Sequence, residues 1–395
     1  MTHKKALGVL FLTVFVDLLG FGIIIPLLPF YAEHFSATPF VVTLLMATYS
    51  LLQFVFSPIW GRLSDRWGRR PILMVSLGGA AVAYTWFGLA GSLWTVFAAR
   101  ALAGAMGGNI AAAQAYIADV TTPENRARGM GMIGAAFGLG FIFGPALGGV
   151  LAGGDIHALN FALPAFVAAG LSLLALVFAA LALPESLDPQ LRQRAKNSAR
   201  QGRLASLLEA AKQGQVGLVI GLFFLVTFAF SGMESTFAMW SERQFSWGPQ
   251  QNGYLFAFAG VMGALIQGVF IGRLTRRFGE VNLLKQGALA LALGLFLVPL
   301  SSQLSLLILA MVLMAYGLGV SNPSLNSLVS RKTSAERQGS ALGLTQSASS
   351  LARIVGPVWA GMSFSAWGRA WPFFSGALVM LVVWALSLTK LRLKT

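Results

Sequence analysis

The sequence predicts an all-α polytopic membrane protein with twelve transmembrane helices in two pseudo-symmetric six-helix bundles and both termini in the cytoplasm. Three observations lead to this fold class. The composition is too apolar for a soluble chain of 395 residues, since 56% of the residues are hydrophobic and 10% are charged. Apolar runs long enough to span a bilayer recur along the chain. Short motifs of the first half also return in the second half.

Twelve apolar segments are long enough to cross a bilayer, which takes about 20 residues at 1.5 Å rise per residue. The first segment follows two lysines and could be mistaken for a secretion signal. Its length, Asp17, Pro26 and Pro29, and the lack of a small-residue cleavage pattern, favour a retained span. The predicted spans are 7–31, 39–60, 72–91, 94–116, 130–153, 158–183, 215–240, 250–271, 282–300, 303–327, 339–363 and 370–389.

The positions of the basic residues indicate the topology of the chain. A net charge of +15 would otherwise suggest a nucleic-acid partner. However, 24 of the 28 lysines and arginines fall on one side of the predicted membrane. The positive-inside rule places that side in the cytoplasm. The basicity is therefore a topology signal, and we expect no nucleic acid as a partner.

Three pairs of motifs divide the chain into two halves. GRLSDRWGRR at Gly61 returns as GRLTRRFGE at Gly272, 211 residues later. PENRARGMG returns as SAERQGSALG, and FGPALGG returns as VGPVWAG, at offsets of about 211 or 212 residues. Motifs that repeat in register predict two six-helix bundles, residues 1–183 and 214–395. The polar, basic linker 184–213 is either a segment that lies against the anionic leaflet or a solvated tether.

Residue types that carry enzyme chemistry are scarce in this chain. It has no cysteine and three histidines, all of which lie near segment ends. No zinc-type cluster, phosphate loop or nucleophile elbow is present in the sequence. We therefore expect neither an enzyme nor a metal or cofactor.

Apart from Lys285, which lies near the cytoplasmic end of its span, four charged residues lie inside predicted spans, and the charges of these four sum to zero. At the bilayer centre a charge costs roughly 2.5 to 3.5 kcal/mol, so a buried acid indicates a functional site. Their estimated depths allow two pairs, one of Asp17 with Arg100 and one of Glu234 with Arg353. A carboxylate beside an arginine stays ionised, whereas an isolated one in an apolar cavity binds a proton more readily. These four residues are the candidate proton-coupling group, although a fixed Glu234–Arg353 pair could instead simply hold two helices together.

Several motifs resemble those of a known family. GRLSDRWGRR is similar to the signature between spans 2 and 3 of the major facilitator superfamily, and RALAGAMGG is similar to its span 4 motif. LLGFGIIIPLLP resembles its span 1 motif, and GLGFIFGPALGG resembles the span 5 motif of its antiporters. Within the superfamily the chain resembles the twelve-span drug/proton antiporters, and most closely the tetracycline/proton antiporters. The resemblance covers essentially the whole chain.

The motif between spans 2 and 3 has the properties of a gate. Its glycines allow tight turns, and Asp65 can accept hydrogen bonds from a helix N-terminus or a neighbouring arginine when the gate is closed. The second copy has Arg276 where the first has Asp65, so the latch is single. For the arginines, a role in topology alone is the alternative. The gate residues are Gly61, Asp65, Arg66, Gly68, Arg69 and Arg70.

The span 5 motif predicts a close helix contact. Its glycines recur every four residues and form a stripe without side chains, beside a proline that loosens the backbone. The resemblance implies that this contact seals the two halves against each other. The motif residues are Gly140, Gly144, Pro145, Gly148 and Gly149.

The resemblance also implies a substrate cavity lined by spans 1, 4, 7 and 10. Polar and aromatic groups in and beside these spans suit a lipophilic substrate with a few hydrogen-bonding groups. The candidates are Gln53, Asn109, Gln114, Phe230, Ser231, Phe237, Tyr316, Asn322 and Asn326.

Three positions depart from the tetracycline antiporters. Those proteins have an aspartate where this chain has Ala83 and a histidine near the position of Gly263, whereas Glu234 stands where they are uncharged. The resemblance therefore implies drug/proton exchange and leaves tetracycline itself open as a substrate.

Proton-coupled efflux of small amphipathic drugs or metabolites is the first functional interpretation. Proton-coupled uptake of a metabolite and a non-transporting sensor on a transporter scaffold remain as alternatives. The expected partners are a small-molecule substrate, protons and membrane lipids. The resemblance implies a monomer in the plasma membrane, which is the inner membrane in bacteria.

Overall fold

The computed structural model describes residues 3–156, 158–187, 214–333 and 338–391, and within these ranges the chain is helical without a strand. The α-helices of this part of the chain are α1 (His3–Ile24), α2 (Leu28–His34), α3 (Pro39–Trp67), α4 (Arg69–Gly88), α5 (Leu93–Met106), α6 (Ile110–Val120), α7 (Pro123–Ala152), α8 (Ala162–Ala182), α9 (Gly214–Phe245), α10 (Pro249–Leu265), α11 (Ile271–Phe278), α12 (Glu280–Leu297), α13 (Leu304–Lys332), α14 (Gln338–Trp367) and α15 (Trp371–Thr389).

The helices confirm the prediction of an all-helical polytopic membrane protein. Among the described residues, eleven helical stretches are long and apolar enough to cross a membrane. The remaining predicted span, 339–363, lies within α14, which is 30 residues long but carries Arg353 and a polar first half. Most of the predicted linker, 188–213, lies outside the described residues. The placement of both termini in the cytoplasm stays a prediction.

Two spans are interrupted where the sequence has residues unsuited to a continuous helix. In the first span, α1 and α2 are separated by a 3₁₀ turn at Ile25–Leu27. Pro26 and Pro29, which lack an N–H donor, each fall in the first turn of the element that they enter. In the fourth span, the 3₁₀ turn Gly107–Asn109 separates α5 from α6.

The chain forms two compact units, of which the first comprises residues 1–37, 48–199 and 245–257. In this unit α1 packs against α7 and α8, and α4 packs against α5 and α8. A cluster of buried apolar side chains fills the space between these helices, with Leu10, Ile72 and Tyr116 among its members. The core thus holds α1 and α4 beside the interrupted α5–α6 segment.

The second unit comprises residues 38–47, 200–244 and 258–395. Its α12 packs along α13 and α15. Between α10 and α11 the chain forms a π-helical turn at Ile266–Phe270. Ile266 joins Leu283 and Val320 in a small buried cluster beside Tyr316.

Candidate functional site

Asp17 lies in α1 of the first unit and is half-buried. Its Oδ2 accepts a hydrogen bond of 3.4 Å from Nδ2 of Asn109. Asn109 can reach α1 because the Gly107–Asn109 turn breaks the helix there. The turn is held from α3, since Gln53 Nε2 donates to the Gly107 carbonyl at 3.0 Å. A Cβ at position 107 would meet the Tyr49 hydroxyl, so a larger residue there would need the tyrosine side chain to shift.

Arg100 lies in α5 and is 3% exposed. Its guanidinium carbon is 4.6 Å from the centre of the Tyr49 ring and 5.9 Å from that of Phe21. Its Nε and Nη1 have no hydrogen-bond partner among the described residues. The electron-rich faces of these two rings therefore stabilise its positive charge. No salt bridge joins Arg100 to Asp17 within the described ranges.

Glu234 lies in α9 of the second unit and is half-buried, although both of its sequence neighbours are buried. Arg353 of α14 interacts with it electrostatically. The two helices are joined close by, where Ser231 Oγ donates to the Ala352 carbonyl at 3.2 Å. A side chain at Gly356 would meet the Phe228 carbonyl, so α9 and α14 approach closely beside this pair of charges. The structure thus brings Glu234 and Arg353 together within one unit.

Two of the gate residues, Asp65 and Arg69, belong to an ion-pair cluster around Arg69, the first residue of α4. Its Nη1 binds Asp65 and Ser64 of α3. Its Nε donates to Asp119 Oδ2, near the end of α6, at 3.1 Å. Asp65 thus has Arg69 as a partner, which is one of the two contacts that we expected for the latch.

Two members of this cluster, Asp119 and Glu185, were missed by the sequence analysis. Glu185 Oε1 accepts from the Arg69 backbone N–H at 2.8 Å, and its Oε2 accepts from that of Arg70 at 3.2 Å. The Arg70 guanidinium donates to the Ala180 carbonyl. The sequence offered one signal for each residue. Asp119 is an acid just after predicted span 4, and Glu185 lies in the PES sequence that begins the predicted linker.

The glycine stripe of span 5 lies directly against α1. A Cβ on Gly144 would be 2.6 Å from the Gly22 Cα, and one on Gly140 would be 3.0 Å from the Leu18 Cβ. Gly148 likewise approaches the Ile23 backbone. Gly149 faces another way, since its Cβ would be 2.8 Å from the Gln250 Cα of α10. Through these glycines α7 thus packs closely against two helices, α1 and α10.

The candidate cavity residues differ in accessibility. Phe237 is fully buried, with its ring centre 5.5 Å from that of Trp240, and it belongs to the core of its unit. Tyr316 donates to Gln286 Oε1 at 3.0 Å beside the π-helical turn. Gln114 and Asn326 are exposed. Gln53, Phe230 and Asn322 are half-buried.

An all-helical polytopic chain with charged groups inside its spans is typical of membrane transporters. The sequence model of the Major Facilitator Superfamily matches residues 10–357 and 268–394. The chain belongs to this superfamily, as the motifs predicted, and is an integral multi-pass membrane protein.

Similar proteins are known in several organisms. The chain is 32% identical to the class C tetracycline resistance protein of Escherichia coli over 391 residues, 97% of this chain and 96% of that protein. It is 28% identical to multidrug resistance protein 2 of Bacillus subtilis (strain 168) over 389 residues, 97% of this chain and 94% of that protein.

Solved structures confirm the fold. The human organic anion transporter MFSD10 (TETRAN) is 27% identical and superposes with a TM-score of 0.72, covering 98% of this chain and 100% of that one. The nucleoside transporter NupG, at 13% identity, reaches a TM-score of 0.80 with 98% and 100% coverage, which shows the fold alone.

Proposed function

We propose that this transporter exports small amphipathic drugs or metabolites in exchange for protons by alternating access. The observation that carries the proposal is the placement of one half-buried carboxylate in a membrane-spanning helix of each unit, Asp17 in α1 and Glu234 in α9. Acids inside a membrane are costly and typically mark ion or proton pathways. The tetracycline and multidrug resistance relatives support export of drug-like compounds.

In the first unit, Asp17 is the proposed proton site. Its hydrogen-bond donor is the neutral amide of Asn109 at a long 3.4 Å, and Arg100 lies over aromatic rings instead. Proton binding at Asp17 would therefore disrupt one weak hydrogen bond and no ion pair. In this proposal Arg100 stays positively charged throughout. When Asp17 and Arg100 approach each other, this charge favours release of the proton from Asp17.

In the second unit, Glu234 and Arg353 form the proposed coupling pair. The α9–α14 contact at Ser231 and Ala352 is tight, so a small rotation of one helix about it would alter the separation of the two charges. Approach of Arg353 favours the ionised carboxylate, and withdrawal favours the protonated one. Such a change would convert helix movement into binding and release of a proton.

The gate and the substrate contacts complete the proposal. Two six-helix bundles, 1–183 and 214–395, are the proposed moving parts, and the Arg69 cluster is the proposed latch. Among the proposed substrate contacts, Asn109 is buried and the others are half-buried or exposed, and the buried Ser231 and Phe237 are proposed to support them. The proposed contacts are Gln53, Asn109, Gln114, Phe230, Tyr316, Asn322 and Asn326.

A flux experiment on purified protein in liposomes tests the direction of coupling. The lumen is made acidic, and uptake of a tetracycline, a lipophilic cation and a fluoroquinolone is followed. An antiporter is expected to concentrate its substrate in the acidic lumen as protons leave. Protein-free liposomes control for passive trapping of weak bases, and a protonophore controls for the gradient.

The two alternatives give different results in this experiment. Proton-coupled uptake, as a symport, would drive the compound out of the acidic lumen and would replace the proposal. A sensor without transport would give no gradient-dependent movement of any compound beyond the protein-free control, and this result would also contradict the proposal.

A further inference from the structure

The two copies of the gate repeat have ion pairs of opposite polarity at equivalent positions. In the first unit, Arg69 at the start of α4 pairs with Asp119 near the end of α6 at 3.1 Å. In the second unit, Glu280 at the start of α12 pairs with Arg331 near the end of α13, also at 3.1 Å. The repeat offsets of 211 and 212 residues place Glu280 on Arg69 and Arg331 on Asp119. The same helix ends are thus joined with the charges exchanged.

The helix dipole makes these two arrangements unequal. A helix N-terminus favours a negative charge and a C-terminus a positive one. Glu280 and Arg331 both satisfy this rule, whereas Arg69 and Asp119 both oppose it. In each pair the residue at the helix start is the buried one, with side-chain exposures of 9% for Arg69 and 8% for Glu280. A buried arginine at a helix start requires additional support.

Glu185 supplies this support. Its two carboxylate oxygens accept the first two backbone N–H groups of α4, those of Arg69 and Arg70. A carboxylate at this position neutralises the positive end of α4, beside which Arg69 must lie. Gly68 has φ of +113°, and a side chain there would collide with Glu185 Oε2. This gate glycine therefore leaves room for the cap as well as making the turn.

The segment around Glu185 is itself fixed to the same cluster. Ser186 Oγ donates to Asp119 Oδ2 at 3.0 Å, and the Tyr116 hydroxyl donates to the Pro184 carbonyl at 2.9 Å. The segment 184–187, immediately before residues 188–213, is therefore anchored to the gate from both α4 and α6. In the second unit Glu280 supplies the negative charge at the start of α12 itself.

We infer that Glu185 is a positioning residue of the gate. By capping α4 it holds Arg69 between Asp65 and Asp119, and it joins the segment 184–187 to the latch. Among the described residues its hydrogen bonds run to nearby backbone N–H groups and to none of the substrate candidates. Its loss should therefore slow the opening and closing cycle and leave substrate affinity unchanged. The inference rests on the proposed transport function for this last consequence alone.

Thiol labelling tests the position of Arg69 without any substrate. The chain has no cysteine, so Ser64→Cys provides a single reporter at a site that is 0% exposed and hydrogen-bonded to Arg69. In detergent-purified protein, Glu185→Ala is expected to raise the maleimide labelling rate several-fold over the Ser64→Cys parent. Glu185→Asp keeps the charge and is expected to restore most of the protection. Glu280→Ala is the matched control that removes the equivalent acid of the second unit.

Transport kinetics supply the second measurement. For a compound that the wild type moves, Glu185→Ala is expected to lower the maximal rate several-fold with KM within about twofold of the wild-type value. Unchanged labelling in Glu185→Ala, or an equal increase in Glu280→Ala, would overturn the inference. If the wild type moves no compound, the proposed function fails, and the labelling result still decides the role of Glu185.

Discussion

At the scale of single residues, the two charges inside the spans of the first unit, Asp17 and Arg100, are stabilised without an ion pair between them. Arg100 faces the Tyr49 ring at 4.6 Å, and Asp17 has a weak hydrogen bond from Asn109. A desolvated cation–π contact is worth about 2 kcal/mol, which offsets part of the cost of burying a guanidinium. Asp17 is thus left with a neutral partner, which suits a group that must gain and lose a proton.

Substitutions at Asp17 and Asn109 should therefore have graded effects. Asp17→Asn removes the proposed proton site and is expected to reduce compound-driven proton flux at least about tenfold. Asn109→Ala removes one hydrogen bond of 3.4 Å, so a reduction of about two- to fivefold is expected. Initial rates in reconstituted vesicles measure both. An Asp17→Asn variant with wild-type flux would show that the proton binds elsewhere.

The sequence predicted the charges inside the spans but not all members of the gate cluster. Asp17, Arg100, Glu234 and Arg353 stand out because charges are rare in apolar runs. Asp119 and Glu185 lie at span ends, where charges are common, and their contacts with Arg69 join residues 50 and 116 positions apart. Only the packing of α4 against α6 and against the segment 184–187 brings these groups together.

At the scale of helices, the span 5 glycines make α7 an element that packs through its backbone. Gly144 and Gly22 face each other, so neither helix has a side chain at this contact. The spacing of the glycines predicted a close contact, and the structure identifies α1, the helix that carries Asp17, as its partner. Movement of α7 would therefore displace α1 and with it the proposed proton site.

Gly144→Ala tests this contact against a matched control on the same helix. Its new methyl group would lie 2.6 Å from the Gly22 Cα, which is backbone and cannot rotate away. We expect a loss of about 1 to 3 kcal/mol of stability from overpacking, seen as a lower melting temperature, together with reduced transport. A Cβ added at Gly138 would have no atom within 4 Å, so Gly138→Ala should keep the wild-type melting temperature. Equal melting temperatures for the two variants would contradict the close packing.

Helix interruptions were predictable only in part. Prolines at 26 and 29 gave a local reason for the 3₁₀ turn in the first span, because proline removes a donor. The turn at Gly107–Asn109 contains two glycines and no proline, which is a weaker local signal, and the π-helical turn at Ile266–Phe270 contains no proline. Both depend on neighbouring side chains, Tyr49 and Gln53 at the former and Tyr316 at the latter.

At the scale of the whole molecule, the internal repeat predicted the fold and concealed a functional difference. Equivalent helices form in both halves of the sequence because hydropathy and glycine positions repeat. The charges at the gate do not repeat, since Arg69–Asp119 is matched by Glu280–Arg331. Aligning the two copies could have revealed the reversal, but only the contacts show that both copies are ion pairs. The identity of the substrate depends on a few side chains and not on the repeat.

The most direct test of proton exchange is the lumenal pH of energised inside-out vesicles during addition of the same compounds. If the chain exports its substrate in exchange for protons, one of the compounds should make the lumen more alkaline. Glu234→Gln should abolish this response, and Glu242→Gln, which changes the other acid of α9, should retain it. A compound that acidified the lumen, or silence with every compound in vesicles that contain folded wild-type protein, would contradict proton-coupled export.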